Sequence, residues 1–410
     1  MFDQQLKIIV VGGGAAGFFA AIRAAELNPN ADVTILERGK NVLEKVKISG
    51  GGRCNVTHAV WTPAELVKHY PRGAKELLGP FHRFACGDTV DWFEKRGVPL
   101  KIEEDGRMFP QTDDSQTIIN CLWQSAVRAG VKIRTQTRVK SFYFDKNINA
   151  WKILTEEKEL LADNLLLTTG SNTAIWETLQ NLGHTIVEPV PSLFTFNIKD
   201  ERIKELPGIS VPEALIQVKN SKLSAKGPLL ITHWGMSGPA ILKLSAWGAR
   251  ELADLKYNFP IIVNWLNQKA EGIEENLLLL KTEHPKKQIF ANPQFGLTQR
   301  LWKSLVTAAH IPEEKRWADI NKKELQALVN QLCSAEFSVK GKSTFKEEFV
   351  TAGGVDLKEV NFKTFESKLF PSLYFAGEVL NIDAITGGFN FQAAWTGGWI
   401  AGEALASSRV

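Results

Sequence analysis

The chain has 410 residues, 44% of them hydrophobic and 23% charged, with a formal net charge of +4. This is the composition of a globular protein long enough for two or three packed units and a large buried cofactor. The mild charge gives no bulk argument for a nucleic-acid or membrane partner, although a local basic surface stays open.

Cys54, Cys86, Cys121 and Cys333 lie far apart without a CxxC pair. That pattern argues against a zinc site, a redox dithiol or a disulfide framework, so no metal is expected. It fits a reduced, cytoplasmic setting. The segment Met1 to Lys7 carries Asp3, Gln4 and Gln5 and lacks the long apolar core of a signal peptide. No apolar stretch approaches the length of a membrane span.

In chain order, Lys7 to Val11 is predicted as a short buried strand, because Ile8, Ile9, Val10 and Val11 form a continuous β-branched run. Gly12-Gly13-Gly14-Ala15-Ala16-Gly17 then gives a GxGxxG that opens an alanine-rich helix, stopped at Asn28-Pro29. Gly12 permits the tight turn, Gly14 lets backbone approach a pyrophosphate and Gly17 lets helix and strand pack closely, with Ala16 beside them. A second strand at Asp32 to Leu36 ends in Glu37, about twenty residues after Gly17, where a carboxylate can accept from both hydroxyls of an adenosine ribose and would repel a 2′-phosphate. Arg38 follows it. Lys45 to Thr57, KVKISGGGRCNVT, is too glycine-rich for a regular helix and is predicted as a ligand-hugging loop. There Gly51 and Gly52 offer backbone N–H groups, Arg53 a fixed cation and Asn55 an amide.

Val131 to Val139 alternates as one strand, and Leu165 to Gly170 is a buried apolar strand ending in Thr169-Gly170. The Pro-punctuated run Val187 to Phe196 closes the first part of an α/β domain. An insertion follows, with strand-like runs at 193–198, 214–218 and 229–232 and a helical part at 297–332. The chain then returns to a strand at Leu373 to Glu378, a Gly-rich turn at Thr386 to Gln392 and an Ala/Gly-rich helix through Ala406. The expected domains are 1–190, 191–345 and 346–410, the first and last forming one Rossmann-like domain. No second strand-GxGxxG-helix occurs, so a dedicated nicotinamide-binding domain is not expected.

Four segments carry a family resemblance: KISGGGRCNVT, THWGMSGPAILKLS at 232–245, TAGGV at 351–355 and LYFAGEVLNIDAITGGFNFQAAWTGG at 373–398. Over essentially the whole chain they resemble the BaiN-like family of bacterial NAD(P)/FAD-dependent, aminoacetone oxidase-like oxidoreductases. The resemblance implies a flavoprotein of the two-dinucleotide-binding-motif type, with extended FAD and an inserted β-barrel-like plus helical domain that covers the flavin. By the same layout Gly377 and Glu378 hold the ribityl chain, Thr169 and Gly170 cross the dinucleotide and Val139 lies beside the adenine. The last helix aims its N-terminus at the flavin pyrimidine, with Asn390, Phe391 and Gln392 there. Cys54, Asn55 and His233 stand near the ring. The sequence departs from the family at Ser171 to Trp176, where Trp176 is expected to reshape the pocket.

Flavin supplies the hydride, so the protein must position a substrate, exclude water and deliver a proton. Cys54 and His233 are the catalytic candidates. Their rival readings are a small packing residue and a turn-forming imidazole. For Asn390 and Gln392 the rival is capping of the last helix. Lys340, Lys342 and Lys346, with Lys286 and Lys287, are a candidate basic face for RNA against the alternative of solvated surface. Trp234, Trp247, Trp265, Trp302 and Trp317 are mostly expected in the core.

The leading expectation is a reductase fed transiently by NADH or NADPH. It adds hydride to an electron-poor C=C of an enone-like metabolite or of a uridine in ribosomal RNA. The alternatives are an amine oxidase passing electrons to oxygen and a non-catalytic flavin-containing RNA- or protein-binding module. No membrane partner is expected, and the oligomeric state is open.

Overall fold

The computed structural model describes residues 5–343 and 350–407. The chain forms two compact units, Met1–Val190 with Val350–Val410, and Pro191–Phe349.

The first unit is built on a seven-stranded sheet. Strand β1 (Lys7–Val11) lies between β2 (Asp32–Leu36) and the strand Asn164–Leu167, all parallel. Lys132–Arg134 extends the parallel sheet beyond β2, and Leu373–Phe375 extends it beyond Asn164–Leu167. Two short antiparallel strands, Glu366–Ser367 and Val360–Asn361, finish that second edge. A strand covered on both faces needs an unbroken apolar run, and Ile8 and Val10 are fully buried.

Helix α1 (Ala15–Leu27) packs along the C-terminal helix Phe389–Leu405. The approach is set by two glycines one helical turn apart. A Cβ at Gly398 would lie 2.7 Å from the Ala16 carbonyl oxygen, and one at Gly402 would lie 2.7 Å from that of Ala20. Arg23 and Glu403 pair beside this seam at 2.7 Å. Phe18 and Phe19 from α1 are buried, each worth roughly 2–3 kcal/mol of transfer free energy.

Two expectations change here. The stretch Val131 to Val139 is not one strand. After Lys132–Arg134 the chain turns at Gln136, whose φ is 52°, and Val139–Asp145 starts a separate meander with Ala150–Thr155 and Glu159–Ala162. The expected loop at 45–57 begins instead as a short helix, α2 (Glu44–Gly52). Its regular geometry ends at Ser49 (ψ 149°), and Gly50 and Gly51 follow in the left-handed region.

The second unit is a closed antiparallel barrel. Its order is Thr195–Ile198, Gly235–Ser237, Ser224–Thr232, Ser210–Val218, Asn258–Asn264 and Ala335–Ser343. Helices Ala270–Glu283, Gln299–Ala308 and Lys322–Cys333 share its apolar core. Of the five tryptophans expected mostly inside, Trp265, Trp302 and Trp317 are fully buried, but Trp234 and Trp247 are 60% and 45% exposed. Among the described residues no helix is long and apolar enough to cross a membrane.

Candidate cofactor site

The β1–α1 turn is shaped by what a side chain would strike. Gly12 has φ 112°, and a Cβ there would sit 2.5 Å from the Thr168 carbonyl oxygen. A Cβ on Gly17 would meet the Gly12 oxygen at 2.1 Å. Gly14 faces open space, so its backbone is bare to an incoming group at the N-terminus of α1. Ala16 is buried and packs under Gly377, so it holds the turn together. Glu37 is fixed by two backbone donors. Its Oε2 accepts from Gly13 N at 2.9 Å and its Oε1 from Gly39 N at 2.7 Å. Each oxygen keeps lone-pair capacity for a further hydroxyl. Arg38 beside it is exposed.

At the carboxyl ends of the adjacent strands Asn164–Leu167 and Leu373–Phe375, Gly170 and Gly377 have φ 58° and 77°. Glu378 Oε2 lies 3.7 Å from the position of a Gly170 Cβ. The Glu378 carboxylate pairs with Lys45 Nζ at 2.5 Å and accepts from Thr351 N at 3.2 Å. Lys45 escaped the sequence reading, where its only mark was a cation one helical turn before the glycine run. The Thr169 and Thr351 hydroxyls and the Asn381 amide oxygen are buried without a protein hydrogen-bond partner, which points to a polar ligand at this edge. In the glycine run, Gly51 and Gly52 have φ 69° and 84° and open space where a Cβ would be. Bare glycine backbone at both ends, an anchored ribose-type acid and an unpaired hydroxyl fit a flavin dinucleotide with its hydroxylated linker.

Several residues expected to touch that cofactor have side chains already engaged by protein partners. Asn55 is buried, with its amide donating to Thr57 O and accepting from Gly388 N, both at 3.0 Å, which ties the glycine run to the start of the C-terminal helix. Gln392 is fully buried. Its Oε1 accepts from Thr57 and Thr89 hydroxyls at 2.6 and 2.9 Å and its Nε2 donates to Thr396 Oγ1 at 3.1 Å. Asn390 accepts from Ala384 N and donates to Ala384 O, bracing the preceding loop. Phe391 stacks on Trp395, with ring centroids 5.6 Å apart. Arg53 is held by Glu103 at 2.6 Å and lies over the Phe109 ring, so its charge is already paired. Val139 begins its strand half-buried.

Cys54 corrects the expectation of a reactive thiol. It is fully enclosed, and burial pushes its pKa up to about 12. A thiol enclosed in this way forms no thiolate near neutral pH. Trp176 also departs from expectation: its ring is buried and its Nε1 donates to Val379 O at 3.0 Å, so it braces the core and does not line the pocket. His233 lies on the exposed turn between Ser224–Thr232 and Gly235–Ser237, in the second unit. Lys340 and Lys342 sit on the strand Ala335–Ser343, while Lys286 and Lys287 follow the helix Ala270–Glu283. Lys346 lies outside the described residues.

An imidazole stack escaped the sequence reading. Phe389 stacks with both His58 and His69, with centroids 4.7 and 4.1 Å away, at the start of the C-terminal helix, and the two imidazoles are 6.0 Å apart. Burial lowers the His58 pKa, which favours the neutral ring. Among the described residues no His/Cys/Asp/Glu group is arranged to hold a metal, and the four cysteines are free.

Comparison with known proteins agrees with this geometry. The family model described as the HI0933-like protein Rossmann domain matches residues 6–404. The ribosomal RNA dihydrouridine synthase of Haemophilus influenzae is 29% identical, the match covering 99% of this chain and 100% of that one. The 3-dehydro-bile acid delta(4,6)-reductase of Clostridium scindens is 27% identical over 98% of this chain and 99% of its own. Among solved structures, the 3-ketosteroid-delta4-(5alpha)-dehydrogenase of Rhodococcus jostii RHA1 superposes with a TM-score of 0.52 at 15% identity, covering 100% and 99% of the two chains. That likeness is one of fold.

Proposed function

The chain belongs to the HI0933-like Rossmann-domain family and is an FAD-dependent oxidoreductase, and from that premise we propose that it reduces an electron-poor C=C bond conjugated to a carbonyl, in a uracil ring of ribosomal RNA. The observation that carries this reading is the end-to-end match to two relatives of different name and shared chemistry. A dihydrouridine synthase and a bile acid delta(4,6)-reductase both add two hydrogens across a double bond made electrophilic by a carbonyl. A small enone is the second reading, favoured by the name of the Clostridium scindens relative.

Bound FAD would supply the hydride once reduced. The chain's own part is to hold and insulate. Gly14 and the N-terminus of α1 receive the pyrophosphate, Glu37 the adenosine ribose, and Glu378 with its Lys45 partner the hydroxylated linker. The N-terminus of the C-terminal helix favours negative charge in front of Gly387 and Gly388. The GxGxxG turn is the chain's single match to that motif, so a nicotinamide donor binds transiently.

The test is an anaerobic titration of the purified yellow protein with NADH and NADPH, followed by unmodified ribosomal RNA and a set of enones. The expected result is prompt bleaching of the flavin band and its recovery on adding RNA, with dihydrouridine in the product. Bleaching recovered only by enones would move the assignment to a small-molecule reductase. Reduction by amines, with peroxide formed in air, would replace it with an oxidase.

A further inference from the structure

We propose that the exposed cations at the free edge of the first unit's sheet, and in the turn and strand that follow it, form the docking surface for the phosphate backbone of RNA. The inference rests on the reading of RNA as substrate and names the part of the surface that would hold it. In Lys132 to Lys140, KIRTQTRVK, every second residue is exposed: Lys132, Arg134, Gln136, Arg138 and Lys140. The segment contains four cations and no acid. The residues between them are half-buried, so the four cationic side chains all reach solvent.

A second basic segment is tied to this one by backbone. Gln136 N donates to Gly39 O at 2.9 Å and Thr137 N to Glu37 O at 2.8 Å, which sets Arg38 and Lys40 beside Gln136 and Arg138. Together they line an open basin of about 510 Å³ in which Glu156 is the single acid. Among the described residues, Arg38, Lys40, Arg134, Arg138 and Lys140 make no ion pair, whereas Lys132 is paired with Asp32. Arg134, Arg138 and Lys140, with Arg38 and Lys40 beside them, present uncompensated charge on one exposed surface, the electrostatic requirement for holding a phosphate backbone. Backbone contacts of this kind position a nucleic acid without reading its sequence.

The experiment compares the full-length protein with the triple variant Lys40→Gln/Arg138→Gln/Lys140→Gln. Arg38 is left intact because it adjoins the ribose-binding acid. Binding of unmodified ribosomal RNA transcripts is measured as a function of salt, alongside FAD content and flavin bleaching by NAD(P)H. The triple variant is expected to bind RNA at least tenfold more weakly near 0.15 M salt. Its log–log salt slope should be shallower by about 2, at roughly 0.7 per lost phosphate contact on a single strand. FAD content and bleaching should match the parent. Unchanged RNA affinity and slope would overturn the docking surface alone. Loss of FAD in the variant would overturn it too, by placing the basin in the cofactor site. A parent protein that binds no RNA would sink the substrate reading itself, and the surface with it.

Discussion

Glu37 shows how much one carboxylate can be asked to do. In the structure it already accepts from Gly13 N and Gly39 N, so it is oriented before any ribose arrives. Glu37→Ala removes a charge-assisted acceptor worth roughly 1.5–3 kcal/mol, and FAD should bind about 10- to 150-fold more weakly. A dissociation constant unchanged in a fluorescence titration would refute the ribose assignment. A thermal melt alongside separates lost ligand contacts from a loosened turn. This acid was legible in the sequence because its spacing from the glycines is fixed by one βαβ unit. Lys45 was not: its partner Glu378 lies 333 residues further along the chain, and only the folded sheet brings them together. Asn55 and Gln392 were legible as polar groups beside glycine turns, but residue type does not tell whether an amide faces a ligand or the protein's own backbone. Here both face inward.

At the scale of elements, the seam between α1 and the C-terminal helix is held by the absence of side chains. Gly398→Val would place a Cβ 2.7 Å from the Ala16 carbonyl, and backbone cannot swing aside as a side chain would. Overpacking of this kind costs about 1–3 kcal/mol, against a gain of only a few tenths from replacing glycine in a helix. The clash should win, lowering the midpoint of denaturant unfolding with little change in slope; a midpoint at or above the parent's would mean the helices can part freely. The parallel strands were readable because burial on both faces demands unbroken runs such as IIVV. The barrel was harder. Gly235–Ser237 is too short to show alternation, and Asn258–Asn264 and Ala335–Ser343 flank helices that dominate the local pattern. The break inside Val131 to Val139 left no mark at all, since Gln136 is an ordinary residue in a left-handed conformation.

For the whole molecule, the order of assembly follows from which strands pair. The first unit stays incomplete until the end of the chain is made. Leu373–Phe375 pairs with Leu165–Leu167, and the C-terminal helix covers α1. The barrel needs nothing from outside its own span, because its first and last strands are neighbours, with Thr195 paired to Ser343. An insertion whose ends meet in this way interrupts its host at little cost, since it brings its own core and leaves the break short. Residues 191–343 expressed alone should therefore fold, giving one cooperative thermal transition by circular dichroism. Residues 1–190 alone should neither melt cooperatively nor retain FAD, lacking both Glu378 and the helix that packs on α1. A barrel fragment that melts without a transition would show that its core depends on the host. A 1–190 fragment that holds FAD would show that the β1–α1 turn and Glu37 suffice, and that the C-terminal segment serves the flavin end alone.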